Sequence, residues 1–411
     1  MEQSSDISRF IANKIRGGKG KGFSVAVYRV AVWSVAAGIA IMILSVSILG
    51  GFRDTIQQKI ASLGAHLTIS RYDRNNSFDD LPIPLQSSLT DSSTVISSIA
   101  AIQPFARKSA LLKSETELTG ILFKGLGMPV YAPALAPLIV KGGIPNWASS
   151  STSPSVDIWV SNRIAQKLNI EWKDSLLLFF VQDPPRIRKV FVAGIFETGL
   201  DEFDEQYILG DLNLVKQMNG WKEFEVGGYE VYLHDFNLLN PVADSVFEAM
   251  EYNLQIEKVT DQYIQLFDWL ELLRRNVVIF VLLIAFVAVF NVGSSLLVMV
   301  MERTHMIGML KAVGGTDGQI GRIFYLNGLR IVGKGLLIGN SIALTFCVLQ
   351  YYFEWIPLDV ENYYMHTVPI AFDWLWILLL NCMLALVVGI VLWVPTWVVG
   401  RIRPIVSIRF D

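Results

Sequence analysis

Four long apolar runs set the plan of the chain: Val25–Leu49, Val277–Met301, Ile331–Tyr351 and Trp374–Val399. Each is long enough for the roughly 20 helical residues that a hydrocarbon core requires. A mixed polar and apolar stretch of more than two hundred residues separates the first run from the second. The pattern predicts an α-helical membrane protein with four transmembrane helices, at 25–51, 274–301, 325–352 and 374–399. A large α+β domain at 52–273 falls between helices 1 and 2. The remaining segments are an N-terminal helix at 1–24, a loop at 302–324, a second loop at 353–373 and a tail at 400–411.

Inside the large domain the periodicity changes. Gln58–Leu63 prolongs the first span as a helix. Tyr263–Arg275 carries Leu266, Trp269, Leu270 and Leu273 on one helical face and leads into the second. These are stalk helices that would transmit motion between membrane and domain. Strands are predicted at His66–Ser70, Val156–Val160, Ser175–Val181, Lys189–Phe196 and Gly228–Leu233, each bounded by turn residues. Arg163–Asn169, Asp211–Met218 and Pro241–Tyr252 suit helices, with Asp211 as N-cap. The serine-rich stretches Ser87–Ser98 and Ser149–Ser155 read as surface segments, and no motif is assigned between Arg71 and Ser155.

Charge orients the spans. Lys and Arg mark the cytoplasmic flanks of short loops. They cluster in the N-terminal tail, between the second and third runs (Arg303, Lys311, Arg322, Arg330, Lys334) and in the C-terminal tail (Arg401, Arg403, Arg409). The loop Tyr352–Asp373 has neither, only acidic residues. Both termini are therefore expected in the cytoplasm, and the large domain outside it, in the periplasm where an outer membrane exists. Over 51–273 there are 28 Asp/Glu against 18 Lys/Arg, and the net charge of the chain is −3, which disfavours nucleic acid as a partner. The first run exceeds the about 7–15 apolar residues of a signal-peptide core, so an uncleaved helix is expected. The two cysteines, Cys347 and Cys382, lie inside apolar runs and cannot staple the large domain.

Catalytic chemistry finds little support. The four histidines are scattered over different segments, and no metal-ligand spacing is present. The acidic run Asp201–Glu205 lacks the spacing of a calcium loop and reads as a solvated turn. Gly328–Lys334 matches most of a phosphate-binding loop, but Gly335 stands where Ser or Thr would hold magnesium, and no strand precedes it. Gly335 and Gly339 instead have the spacing of close helix packing. No enzyme activity, cofactor or metal is expected of this chain. The more telling segment is Glu302–Gly315, in which Met306, Met309, Leu310 and Val313 form a short apolar stripe. Gly314-Gly315 would stop that helix and Thr316-Asp317 cap the next. Two readings stand on the pattern alone: a helix lying on the bilayer surface, and a helix docking into the groove of a cytoplasmic protein.

This segment resembles the coupling-helix region of the FtsX-like ABC transporter permeases, a mechanotransmission family that also includes MacB-type proteins. The resemblance extends along the chain. Ser45–Phe52, Val192–Asp204, Asn362–Tyr364 with Val368–Ile370, and Pro395–Trp397 with Arg401–Arg409 are similar to motifs of the LolC/LolE lipoprotein-releasing branch. The resemblance implies a permease subunit of an ABC exporter in the bacterial inner membrane. It would pair with a second permease chain, identical or paralogous, and with a cytoplasmic ATPase dimer that binds ATP and magnesium. It would take lipoproteins from the outer leaflet and pass them to a periplasmic carrier.

On that basis Glu302, Arg303, Met306, Ile307, Met309, Leu310 and Lys311 are candidates for the ATPase contact, with packing on the membrane surface as the other reading. The segment Val181–Arg188 joins two strands where LolC-type chains carry a carrier-binding hook. Pro184, Pro185, Arg186 and Arg188 are thus candidates for the carrier, and an ordinary hairpin loop is the alternative. Gly38, Ala40, Ser45, Ser47, Asn291, Gly293 and Ser294 are candidates for a substrate cavity along the first two spans, or simply for helix packing. Gly308 and Gly315 replace alanines of the family pattern, which implies a more flexible coupling segment. Two rival functions are an efflux permease like MacB and an FtsX-like regulator of cell-wall hydrolases that transports nothing.

Overall fold

Four helices dominate the computed structural model, which describes residues 23–73, 78–84, 98–114, 117–128, 130–145, 147, 154–250, 252–359 and 363–394. Helix α1 spans Phe23–Gly64, and the chain then enters the strands β1 (Leu67–Arg71), β2 (Ile83–Pro84), β3 (Ile99–Lys113), β4 (Leu118–Leu126), β5 (Ile139–Gly142) and β6 (Asp157–Ser161). Helix α2 (Asn162–Lys167) leads to β7 (Ser175–Phe180), β8 (Arg186–Phe196) and β9 (Tyr207–Asp211). Helix α3 (Leu212–Asn219), β10 (Glu225–Val226), β11 (Gly228–Leu233), α4 (Leu239–Ala249) and β12 (Leu254–Lys258) follow. Then come α5 (Ile264–Glu302), α6 (Thr304–Ala312), α7 (Asp317–Phe353) and α8 (Trp374–Val391). The N-terminal helix, the C-terminal tail and most of the serine-rich stretches expected from the sequence lie outside the described residues.

The chain divides into two units, 1–53 with 269–357 and 367–411, and 54–268 with 358–366. The first unit holds the apolar helices. At about 1.5 Å per residue the 18 residues of α8 cover roughly 27 Å, close to a hydrocarbon core of about 30 Å. Helices α1, with 42 residues, and α5, with 39, reach about 60 Å each and outrun it twofold. The bundle is pinned by small residues and amides. A side chain at Gly335 would stand 2.6 Å from Val35, and one at Gly339 would collide with Ile39 and the Ala36 carbonyl, so α1 and α7 touch backbone to backbone. Asn340 and Asn381 exchange amide hydrogen bonds of 2.7 and 3.0 Å between α7 and α8.

The second unit is built on a ten-stranded mixed sheet. Its open part runs β12-β1-β11-β3, antiparallel throughout. The fifteen-residue β3 then changes partners. Its second half pairs with β4 on one edge and β7 on the other, and the pairings β4-β9, β9-β6, β6-β8 and β8-β7 close a ring. Strict alternation places Leu176, Leu178 and Phe180 of β7 inside, where Phe180 meets Phe123 of β4 edge to face at 5.8 Å. Asp211 caps α3 by accepting from the Asn213 amide at 2.9 Å.

The β3–β4 hairpin fills the stretch in which the sequence suggested no motif. Its alternation is masked because charged residues occupy inward positions. Lys124 pairs with Glu230 of β11 and donates to the Leu63 carbonyl in the last turn of α1. Lys108 pairs with Asp79 at 3.5 Å. Arg107 holds Asp80 at 2.8 Å. A second departure concerns Asp201–Glu205, read as a solvated turn. Asp201–Asp204 is a single helical turn in which Asp204 is buried. Only its flanks face solvent, where Asp201 and Glu205 both pair with Arg163.

Candidate functional site

The segment between α5 and α7 folds as the sequence suggests in outline, and differently in its faces. Helix α6 ends at Ala312, and Gly314 turns the chain with φ +100. Thr316 and Gln319 form a reciprocal capping box at the start of α7, with bonds of 3.4 and 3.1 Å. Lys311 bridges the turn to Asp317 at 2.7 Å. Ile307 is 0% exposed and packs with Val300 of α5 and with Ile320 and Phe324 of α7, while Met306 and Leu310 lean on the same cluster. Gly308 is buried within the helix.

The apolar stripe drawn from sequence is therefore split between two faces. Met306, Ile307 and Leu310 fasten α6 to its neighbours. Met309 is 49% exposed and Val313 89%. His305 is also exposed, four residues before Met309 on the same helix, whereas the exposed Met301 belongs to the end of α5 and Val313 follows the last residue of α6. Sequence reasoning named Met309 and passed over His305, although the spacing of four was there to be read. Glu302 is exposed as well. Arg303 is half-buried, and its Nε has no hydrogen-bond partner among the described residues.

The carrier candidates sit on a hairpin. Phe180 pairs with Arg186, so the connection between β7 and β8 is Val181–Pro185, and Arg186 and Arg188 belong to β8. Pro184 and Pro185 occupy the tip. Arg186 is committed elsewhere: its Nη1 donates to the carbonyls of Gln217 and Met218 at 2.9 and 3.0 Å, at the end of α3. Arg188 donates to the Ile187 carbonyl at 3.1 Å, its one hydrogen bond among the described residues.

The cavity candidates do not converge. Gly38 lies against Ala288 of α5, and Asn291 donates to Ser34 of α1 at 2.8 Å, so both belong to the α1–α5 contact. Gly293 faces Val391 of α8. Ala40 and Ser47 are buried, Ser45 is half-buried and Ser294 is exposed. The near-match to a phosphate loop, Gly328–Lys334, lies wholly inside α7.

Residues 278–404 match the family described as "FtsX-like permease C-terminal". The chain carries an FtsX-like permease domain. The match takes in α6, α7 and α8 and most of α5. Beyond this domain, similarity extends along the chain. It is 21% identical to the lipoprotein-releasing system transmembrane protein LolC of Xylella fastidiosa strain Temecula1, over 97% of each chain. It is 22% identical to the LolE protein of Haemophilus influenzae, over 90% of this chain and 91% of that one. Among solved structures, the periplasmic region of MacB from Actinobacillus actinomycetemcomitans aligns with 49% of this chain and 92% of its own, at 13% identity and a TM-score of 0.35. The FtsX-like permease domain and the four apolar helices make this a bacterial membrane protein.

Proposed function

We propose that the chain is the permease subunit of an ABC exporter that extracts lipoproteins from the outer leaflet of the inner membrane and passes them to a periplasmic carrier. A separate cytoplasmic ATPase drives it, and a second permease chain completes the membrane part. The observation that carries the reading is the end-to-end similarity to LolC and LolE proteins, which spans the extramembrane part as well as the FtsX-like permease domain. In this reading both termini and α6 face the cytoplasm, and the strand-rich unit faces the periplasm.

The geometry supports the division of labour. The exposed face of α6, with His305 and Met309, is backed by the buried cluster of Ile307, Ile320 and Phe324. It suits the helix-in-groove mode of recognition. Helices α1 and α5 are twice as long as a hydrocarbon core is thick and serve as the stalks. Drawing acyl chains out of lipid costs about 0.8 kcal/mol per CH₂. ATP hydrolysis and an apolar receiving surface on the carrier must offset that cost between them. The direct test is reconstitution of the chain with its copurifying ATPase in liposomes loaded with a triacylated lipoprotein. ATP-dependent transfer of that lipoprotein to an added soluble carrier is expected. Transfer at equal rates without ATP would exclude the exporter.

A further inference from the structure

The loop between α7 and α8 contributes residues 358–366 to the strand-rich unit, and there it meets a seat made by α1 and the segment after β8. Lys59 of α1 donates from Nζ to the Tyr364 carbonyl at 2.7 Å. Gly199 lies against the same two groups. A Cβ at this position would stand 3.0 Å from the Lys59 Nζ and 3.0 Å from the Tyr364 oxygen. Its φ of +74 is also left-handed, so both the space and the backbone select glycine.

The seat is organised from within. The Asp204 carboxylate accepts from the Thr198 amide at 3.0 and 3.1 Å, from the Thr198 hydroxyl at 2.9 Å and from the Gly199 amide at 2.8 Å. The Ser161 hydroxyl donates to the Asp204 carbonyl, which ties the turn to the end of β6. On the loop side Tyr364 itself adopts a left-handed φ of +61, a conformation that non-glycine residues keep only when their surroundings hold them. The Leu358 amide donates to the His366 carbonyl at 2.8 Å, and Met365 is buried. A contact of this kind has one register. Apolar surfaces can slide past each other, whereas a lysine, a carbonyl and a glycine in mutual contact meet in a single arrangement.

We propose that Lys59, Gly199 and the Tyr364 carbonyl form a coupling clasp, which fastens the outer loop of the α7–α8 pair to α1 and to the turn after β8 so that movement of that helix pair is delivered to the strand-rich unit. The proposal rests on the exporter reading and assigns positioning roles within it. Asp204 and Thr198 preset the seat, and Lys59 closes it.

The test uses the full chain with its ATPase. Lys59→Met should lower lipoprotein released per ATP hydrolysed at least tenfold, while the ATP hydrolysis rate and the unfolding midpoint stay at wild-type values. Lys59→Arg, which keeps a donor, should restore release. Amide hydrogen exchange gives a readout independent of substrate. On ATP addition, segments 197–204 and 358–366 should change protection together in the wild type, and Lys59→Met should separate them. Unchanged release per ATP in Lys59→Met, or segments that respond independently in the wild type, would overturn the clasp. A wild-type complex that releases no lipoprotein yet shows the linked exchange would sink the exporter reading and leave the clasp standing.

Discussion

Replacing Gly335 by alanine isolates the cost of one close contact between α1 and α7. The added Cβ would lie 2.6 Å from both Cβ and Cγ1 of Val35 and 3.1 Å from the Val32 carbonyl. Ordinary contact begins near 3.4 Å, so α1 and α7 must part by close to an ångström, and the loss spreads to the next turn at Gly339. Overpacking of this kind costs about 1–3 kcal/mol. Alanine also favours the helix over glycine by about 1 kcal/mol, which works in the opposite direction. Gly333 supplies the control. It lies on the same helix two residues earlier, with nothing within 4 Å of its would-be Cβ. The propensity gain is common to both variants and cancels in their difference. Gly335→Ala should therefore be less stable than Gly333→Ala by about 1–3 kcal/mol. Unfolding of the two purified variants in one detergent, monitored by circular dichroism or steric trapping, measures that difference. Equal stabilities would refute the backbone-to-backbone packing of α1 on α7.

Further outcomes follow from the structure. Met309→Asp should abolish copurification of the ATPase without lowering the yield of folded chain, because Met309 is exposed. Ile307→Asp should instead cost about 3 kcal/mol or more by burying a carboxylate, so its defect is misfolding. The His66 imidazole lies between the rings of Tyr232 and Phe236, and its Nδ1 accepts from the Leu233 amide at 3.2 Å. Burial lowers its pKa to about 4, from 6.5. The folded state thus resists protonation. The stability that neutral His66 contributes is complete above pH 6.5 and is lost as pH falls through 4, by up to about 3 kcal/mol. His66→Gln should flatten this part of the pH–stability profile, and a slope as steep as wild type would count against it. Exchanging the tip Val181–Pro185 for a two-residue turn should preserve the fold and weaken transfer to the carrier. Arg186→Ala should loosen the end of α3 by about 1 kcal/mol.

The apolar helices were legible because a run of that length has one stable use. Strands β1, β6, β7, β8 and β11 were legible for a similar reason, as short β-rich runs between turn residues. The β3–β4 hairpin was not. Gln103, Lys108 and Lys124 sit at buried positions, and the partners that make this tolerable come from distant segments, such as Asp79 and Glu230. Periodicity cannot see a pairing across a hundred residues. The same limit applied to Asp204, whose partners Thr198 and Gly199 are near in sequence but whose burial depends on the fold around it. At α6 the stripe was visible and its division was not. Which side of a short amphipathic helix is covered depends on its neighbours, here Val300, Ile320 and Phe324. Arg186 stays exposed, and nothing in the sequence signalled that its guanidinium would also donate to the end of α3.

The central claim is that this chain moves lipoproteins out of the inner membrane. Its most direct test is lipoprotein release from spheroplasts depleted of the protein, with purified soluble carrier supplied outside. Lipid-modified proteins should remain in the inner membrane after depletion, and re-expression of the wild-type chain should restore their release to the carrier. Release at the undepleted rate in the absence of the chain would contradict the account.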